Sequence, residues 1–111
     1  MLEPNPDIRI VLTTVGSREQ AARIGHTLVE ERLAACATAL PGAESIYHWR
    51  GEIETAHETL LLLKTREKQL DALYARLLDL HSYETPEFLV LSVEAASRGY
   101  REWLTANLVG A

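Results

Sequence analysis

The chain has 111 residues, with eleven Lys and Arg against sixteen Asp and Glu and a formal net charge of −5. That length fits one domain able to bury roughly two-thirds of its unfolded surface. With 47% apolar and 24% charged residues the composition is that of a globular fold, not a disordered one. The acidic balance argues against a phosphate-backbone partner, so no nucleic acid is expected. The apolar runs are far short of the ~20 residues a bilayer span needs, so no membrane insertion is expected. Cys36 is the single cysteine and has no partner for an internal disulfide. Residues 1–7 show neither a basic head nor an apolar stretch, which is not the pattern of a secretory leader. The expectation is a cytoplasmic protein with a flexible segment over 1–7 and one domain over 8–111.

Residues 8–15 are rich in β-branched side chains and end at Gly16, which predicts a buried strand. Ser17 with Gln20 three residues on forms a capping box. Ala21, Ile24, Gly25, Leu28, Val29 and Leu33 then follow helical spacing, so a helix is expected to about Ala34. Residues 35–40 read as a strand that Pro41-Gly42 bends or bulges. It resumes through Trp49, turns at Arg50-Gly51 and returns antiparallel to Thr65. Leu70, Leu73, Tyr74, Leu77, Leu78 and His81 define a second amphipathic helix, and 82–86 break it. A fourth strand over 88–93 and a short closing helix carrying Tyr100, Trp103, Leu104 and Leu108 complete the order.

The order is β-α-β-β-α-β plus a C-terminal helix. Two right-handed crossover units of this kind build an α+β, ferredoxin-like sandwich of four antiparallel strands under two helices. Its central hairpin is about a dozen residues per arm, against a usual ~5–6. Such a tip projects past the helices and exposes Ile46, Tyr47 and Trp49, an invitation to pair with another chain. Aromatic stacking residues on a basic face, paired thiolates and a phosphate cradle are not evident, which counts against RNA-recognition, soft-metal chaperone and acyl-phosphatase readings of the fold.

Five stretches share one register. They are Glu31-Arg32-Leu33-Ala34-Ala35-Cys36, the hairpin from Pro41 to Gly51, Lys64-Thr65-Arg66, His81-Ser82-Tyr83-Glu84-Thr85-Pro86-Glu87, and Tyr100-Arg101-Glu102-Trp103-Leu104. Together they resemble the CutA family of divalent-cation tolerance proteins from about Ile8 to Leu104. The resemblance implies a ferredoxin-like subunit in a PII-like homotrimer, a link to copper and other divalent metals, and no established catalytic reaction. It also brings two departures. Ser82 stands where the family usually has proline, which frees a backbone torsion and loosens the loop. Thr13 and Leu80 stand where some members carry a cysteine and a second histidine, so of those three ligands only His81 remains.

His81, with Glu84 and Glu87 close behind, offers imidazole and carboxylates suited to copper or zinc. Its alternative reading is a charged cap on the second helix's C-terminal dipole. Cys36 offers a thiolate for a soft metal, or packs as a small hydrophobe. His48 and His57 fall on one hairpin face about 13 Å apart, too far to share an ion within one chain. His26 reads as an exposed helix residue. Tyr47, Trp49, Lys64, Arg66, Tyr83, Glu84, Glu87 and Trp103 form a polar and aromatic set at the intersubunit cleft or interface. That set is either a small-ligand pocket charged by Lys64 and Arg66 or an ion-pair network such as Lys64 with Glu84. Tyr100 and Trp103 also fit as docking residues of the last helix.

The function expected from the sequence is a non-enzymatic homotrimer of divalent metal ion tolerance. Its expected partners are copies of itself and divalent metal ions, with Cu(II) or another such ion bound and none required for folding. The alternative is a PII-like signalling trimer binding a small ligand in the intersubunit cleft.

Overall fold

A computed structural model of the protein describes residues 2–4 and 7–110. Strand β2 (Ile8–Val15) lies at the centre because alternate side chains face opposite layers. Val11, Thr13 and Val15 are fully buried, while Ile10, Leu12 and Thr14 are half-buried on the other face. The main sheet runs β3 (Cys36–Trp49), β4 (Glu52–Arg66), β2, β5 (Leu89–Ser92), all antiparallel. This is the expected ferredoxin-like order. Helices α1 (Arg18–Glu30) and α2 (Leu70–Leu80) supply Ala21, Ile24, Leu28, Leu73 and Leu77 to the core against Val11, Val15, Leu61 and Leu63. Among the described residues no helix is long and apolar enough to cross a membrane.

Helices α1 and α2 cover one face of the sheet, and the other meets a helix, the C-terminal one, only at its Ile8 end and is otherwise helix-free among the described residues. On the other, rows of residues cross the strands: Leu40–Leu60–Thr14, then Thr38–Leu62–Leu12–Leu89, then Cys36–Lys64–Ile10–Leu91. Leu40, Leu89 and Leu91 are each about half exposed there.

The hairpin is longer than its sequence promised, with arms of 14 and 15 residues. Fourteen residues at ~3.3 Å each span about 46 Å, which accounts for the molecule's 47 Å long axis against 25 and 22 Å across. Arg50 and Gly51 both take positive φ (50° and 81°), the twist that a two-residue hairpin loop needs. The pairing steps from Leu40↔Leu60 to Ala43↔Glu58, so Pro41 and Gly42 together face Thr59, a bulge with Gly42 at φ 87°.

Helix α1 stops four residues before the predicted end. Arg32 adopts φ 59°, its N–H donates to the Val29 carbonyl, and the Leu33 N–H donates to that of Leu28. This is a Schellman ending with arginine where glycine is usual, so no glycine signals it. At the other end Ser17 Oγ accepts from the Gln20 N–H, as expected. The reciprocal bond goes one residue further back, from the Gly16 N–H to Gln20 Oε1.

Of the segment 1–7, expected to be flexible, Met1, Asn5 and Pro6 lie outside the described residues and 2–4 form a paired strand. Strand β1 (Leu2–Pro4) pairs with β6 (Ala95–Ser97), and Glu3 takes ion pairs from Arg98 and Arg101. The Arg98 hydrogen bond in particular holds the Glu3 carboxyl below its ordinary range. Helix α3 (Arg98–Ala106) then buries Leu104, with Leu108 just beyond it, against Ile8 and Ala35.

Thr13 Oγ1 is buried with no hydrogen-bond partner among the described residues. Burying an unsatisfied hydroxyl costs free energy that an isosteric methyl does not. Thr13→Val should therefore raise unfolding free energy by about 1 kcal/mol in urea titration. A destabilised variant would mean that the hydroxyl is satisfied in solution.

Candidate functional site

The hairpin register aims side chains into one cleft. Tyr47 lies opposite Glu54 and Trp49 opposite Glu52, and Glu58 is four residues beyond Glu54 on the same face. That is the helix-free face, to which β2 adds Thr14. The loop after α2 closes the far side with Tyr83, Glu84, Thr85 and Glu87. The resulting cleft has a volume of about 780 Å³. Its lining holds four carboxylates, from Glu54, Glu58, Glu84 and Glu87, beside Tyr47, Trp49 and Tyr83, and neither Lys nor Arg. Such a lining attracts cations: carboxylates supply charge and ring faces accept a cation or pack an apolar group.

Tyr83 donates its hydroxyl proton to Glu58 Oε2 at 2.8 Å. Desolvation first, then the bond to Glu58 and that carboxylate's charge, push the phenol from its ordinary 10.0 up to about 12. Behind Tyr83, His81 is buried at 8% exposure. Its Nδ1 accepts from the Tyr83 N–H at 3.0 Å and its Nε2 faces the Thr14 carbonyl at 2.8 Å. An acceptor at Nδ1 and a donor at Nε2 describe a neutral imidazole with its proton on Nε2. Ser82 Oγ accepts from Gln20 Nε2 at 2.9 Å, so the loop expected to loosen through Ser82 is tied to the start of α1.

The expected site residues divide. Tyr47, Trp49, Tyr83, Glu84 and Glu87 meet in the cleft. Lys64 does not; its Nζ lies 3.4 Å from Thr38 Oγ1 and 3.7 Å from Cys36 Sγ. Arg66 is buried at the far end of β4, donating from Nε to Gln69 Oε1 at 2.9 Å and from a terminal nitrogen to the Val109 carbonyl. Trp103 lies on α3 beside Tyr100, with ring centroids 5.5 Å apart. The cleft of the single chain is therefore acidic, and Lys64 and Arg66 are bonded outside it.

His81, Glu84 and Cys36 do not converge. Among the described residues, no group of three or more His, Cys, Asp or Glu side chains is placed to hold a metal ion. Both ring nitrogens of His81 are engaged. Cys36 lies half-buried on the helix-free face, in the row of Lys64 and Ile10. His81 does end α2, yet as a neutral ring rather than a charge on the helix dipole. The hairpin pairs Glu44 with His57 and His48 with Ile53, which keeps the two histidines four residues apart on one face, as read. His26 is exposed beside Glu30.

Thr14, Glu54, Glu58 and Thr85 were missed. For the two glutamates a signal existed. Once Arg50-Gly51 is the turn centre, Glu54 must oppose Tyr47, and Glu58 shares its face by the period of two.

The raised phenol has a checkable consequence. Its folded value lies above the unfolded 10.0, so the stability it contributes is complete below pH 10 and lost as pH rises towards about 12. Alkaline absorbance titration should show one tyrosine step near pH 12 that disappears in Tyr83→Phe. An unchanged titration in that variant would place the step elsewhere.

Comparison with known proteins fits this architecture. The divalent-cation tolerance protein CutA of Pectobacterium atrosepticum is 41% identical over 105 residues, covering 95% of this chain and 96% of that protein. Protein CutA 1, chloroplastic, of Oryza sativa is 40% identical over 95 residues, covering 86% of this chain, which spans only 54% of that protein. A chloroplastic relative leaves the expected cytoplasmic location unfixed by kinship. The solved structure of CutA from Synechococcus elongatus superposes with a TM-score of 0.94 at 40% identity, over 97% of this chain and 96% of that one. Residues 9–107 match the family described as CutA1 divalent ion tolerance protein, and the chain belongs to that family.

Proposed function

We propose that the protein is a non-enzymatic homotrimer of divalent-cation tolerance whose clefts receive cations at their carboxylates. The observation that carries this reading is the lining: Glu54, Glu58, Glu84 and Glu87 share a cavity with neither Lys nor Arg in its lining. Cu(II) or another divalent ion would be held there by oxygen ligands, completed by water or by a neighbouring subunit. The three-membered assembly follows from the family resemblance. The helix-free sheet face supports it, because Ile10, Leu12, Leu40, Leu60, Leu62, Leu89 and Leu91 form an apolar surface that the chain itself leaves uncovered. A second reading, a small-ligand trimer of PII-like type, is favoured by Tyr47, Trp49 and Tyr83, whose rings suit an organic ligand better than a bare ion.

Two measurements test the proposal. Light scattering after gel filtration should give about three times the 12.4 kDa chain mass, and Leu89→Glu should lower it while circular dichroism stays unchanged. A monomeric wild type would end the assembly reading. Equilibrium dialysis against Cu²⁺ should show binding weakened about tenfold, ~1.4 kcal/mol, in the double variant Glu54→Gln/Glu84→Gln and unaltered in Cys36→Ser. The reverse pattern would move the cation to the thiolate.

A further inference from the structure

The loop over residues 81–87 supplies four of the nine side chains that line the cleft, so whatever fixes that loop fixes the cleft. It carries no regular secondary structure of its own before β5 begins. Two tethers hold its beginning, and both lead to the junction of β2 and α1. One is the amide of Gln20, whose Oε1 accepts from the Gly16 N–H and whose Nε2 donates to Ser82 Oγ at 2.9 Å. That tether is exposed to solvent. The other is His81, buried and bonded at both ring nitrogens.

We propose that His81, fixed as its Nε2–H tautomer between the Thr14 carbonyl and the Tyr83 amide, is the positioning residue that holds Tyr83 against Glu58 and so shapes the cleft.

The geometry is local and directional. From Nδ1 to the Tyr83 N–H the ring closes a turn over two residues, as an Asx side chain does when it accepts from the amide two positions on. From Nε2 the same rigid ring reaches the carbonyl of Thr14, the penultimate residue of β2, whose own side chain lines the cleft. One plane therefore ties a cleft residue on the sheet to a cleft residue on the loop. The His81 and Tyr83 rings also pack, with centroids 4.6 Å apart. The phenol is thereby delivered to Glu58 Oε2 at 2.8 Å. Ligation of His81 by a metal would require one of its two bonds to open, either releasing Tyr83 or freeing the ring from β2. In this arrangement the histidine orders the cleft without touching what the cleft receives. Its importance for a cation rests on the function proposed above; its structural role does not.

The two bonds can be separated by substitution. His81→Asn places an acceptor oxygen where Nδ1 stands and keeps the turn to Tyr83 while losing the reach to Thr14. His81→Gln keeps a donor long enough for Thr14 but loses the short acceptor. Amide hydrogen exchange by NMR on the full chain reads the Tyr83 N–H directly, with no cation present. Exchange at Tyr83 should accelerate by about tenfold or more in His81→Gln and stay near wild type in His81→Asn. Long-range ¹H–¹⁵N correlations of the wild-type ring should show a bare Nδ1 and a protonated Nε2. The opposite tautomer, or a Tyr83 amide indifferent to His81→Gln in a folded variant, overturns the proposal. Cu²⁺ dialysis on the same variants then reports separately. In His81→Gln, an accelerated amide with unchanged Cu²⁺ affinity upholds His81 and counts against the cation reading, whereas loss of both amide protection and Cu²⁺ affinity upholds the two together.

Discussion

Most of what is distinctive in this molecule depends on the β3–β4 ladder. Two strands of 14 and 15 residues stay paired from Cys36–Lys64 to Trp49–Glu52, well beyond the reach of helices that cover the rest of the sheet. The extension needs two local devices. The bulge at Pro41-Gly42 admits one extra residue, which shifts every β3 side chain beyond it relative to the unbulged register. Beyond that point Tyr47 and Trp49, rather than their even-numbered neighbours, share a face with Glu54 and Glu58. The tight turn at Arg50-Gly51 then fixes the pairing to the tip. Without the bulge, Ile46 and His48 would face the cleft instead.

The same ladder leaves a problem that the single chain does not solve. A sheet whose second side meets a helix only at its Ile8 end must bury the rest of that side or expose it, and here the open part is rich in leucine. The acidic cleft lies along that same face, on the outer half of the hairpin from Glu58 to Trp49 near its tip. Any copies packed against the leucines therefore border the cleft, and a site incomplete in one chain can be completed at a shared boundary. This links the absence of a three-ligand metal group among the described residues of one chain to the uncovered apolar surface as two aspects of one geometry.

The framework was readable from the chain because periodicity encodes it. β2 was placed at its observed bounds, the turn at Arg50-Gly51 and the bulge at Pro41-Gly42 were located, and the βαββαβ order followed. What escaped lacks a local code. Helix α1 ends on a left-handed arginine rather than a glycine, and β1 pairs with β6 across almost the whole sequence in three-residue strands. Of the site, Tyr47 and Trp49 of the hairpin and Tyr83, Glu84 and Glu87 of the 81–87 loop are legible through the resemblance, whereas the hairpin's Glu54 and Glu58 are not. Lys64 shares a sheet face with Glu58, but six residues of strand separate them, so it lies outside the cleft of the single chain. The role of His81 was out of reach, since no spacing in the sequence shows that both its nitrogens are occupied.

The central claim is that cations are received by the carboxylates of the hairpin cleft and not by the histidine and cysteine that the sequence first offers. Anomalous diffraction from crystals of the protein soaked in Cu²⁺ tests it most directly. The account predicts an anomalous peak among Glu54, Glu84 and Glu87, with the His81 ring still bonded to Thr14 and Tyr83. A peak on His81 Nδ1 or on Cys36 Sγ, with the cleft empty, would contradict it.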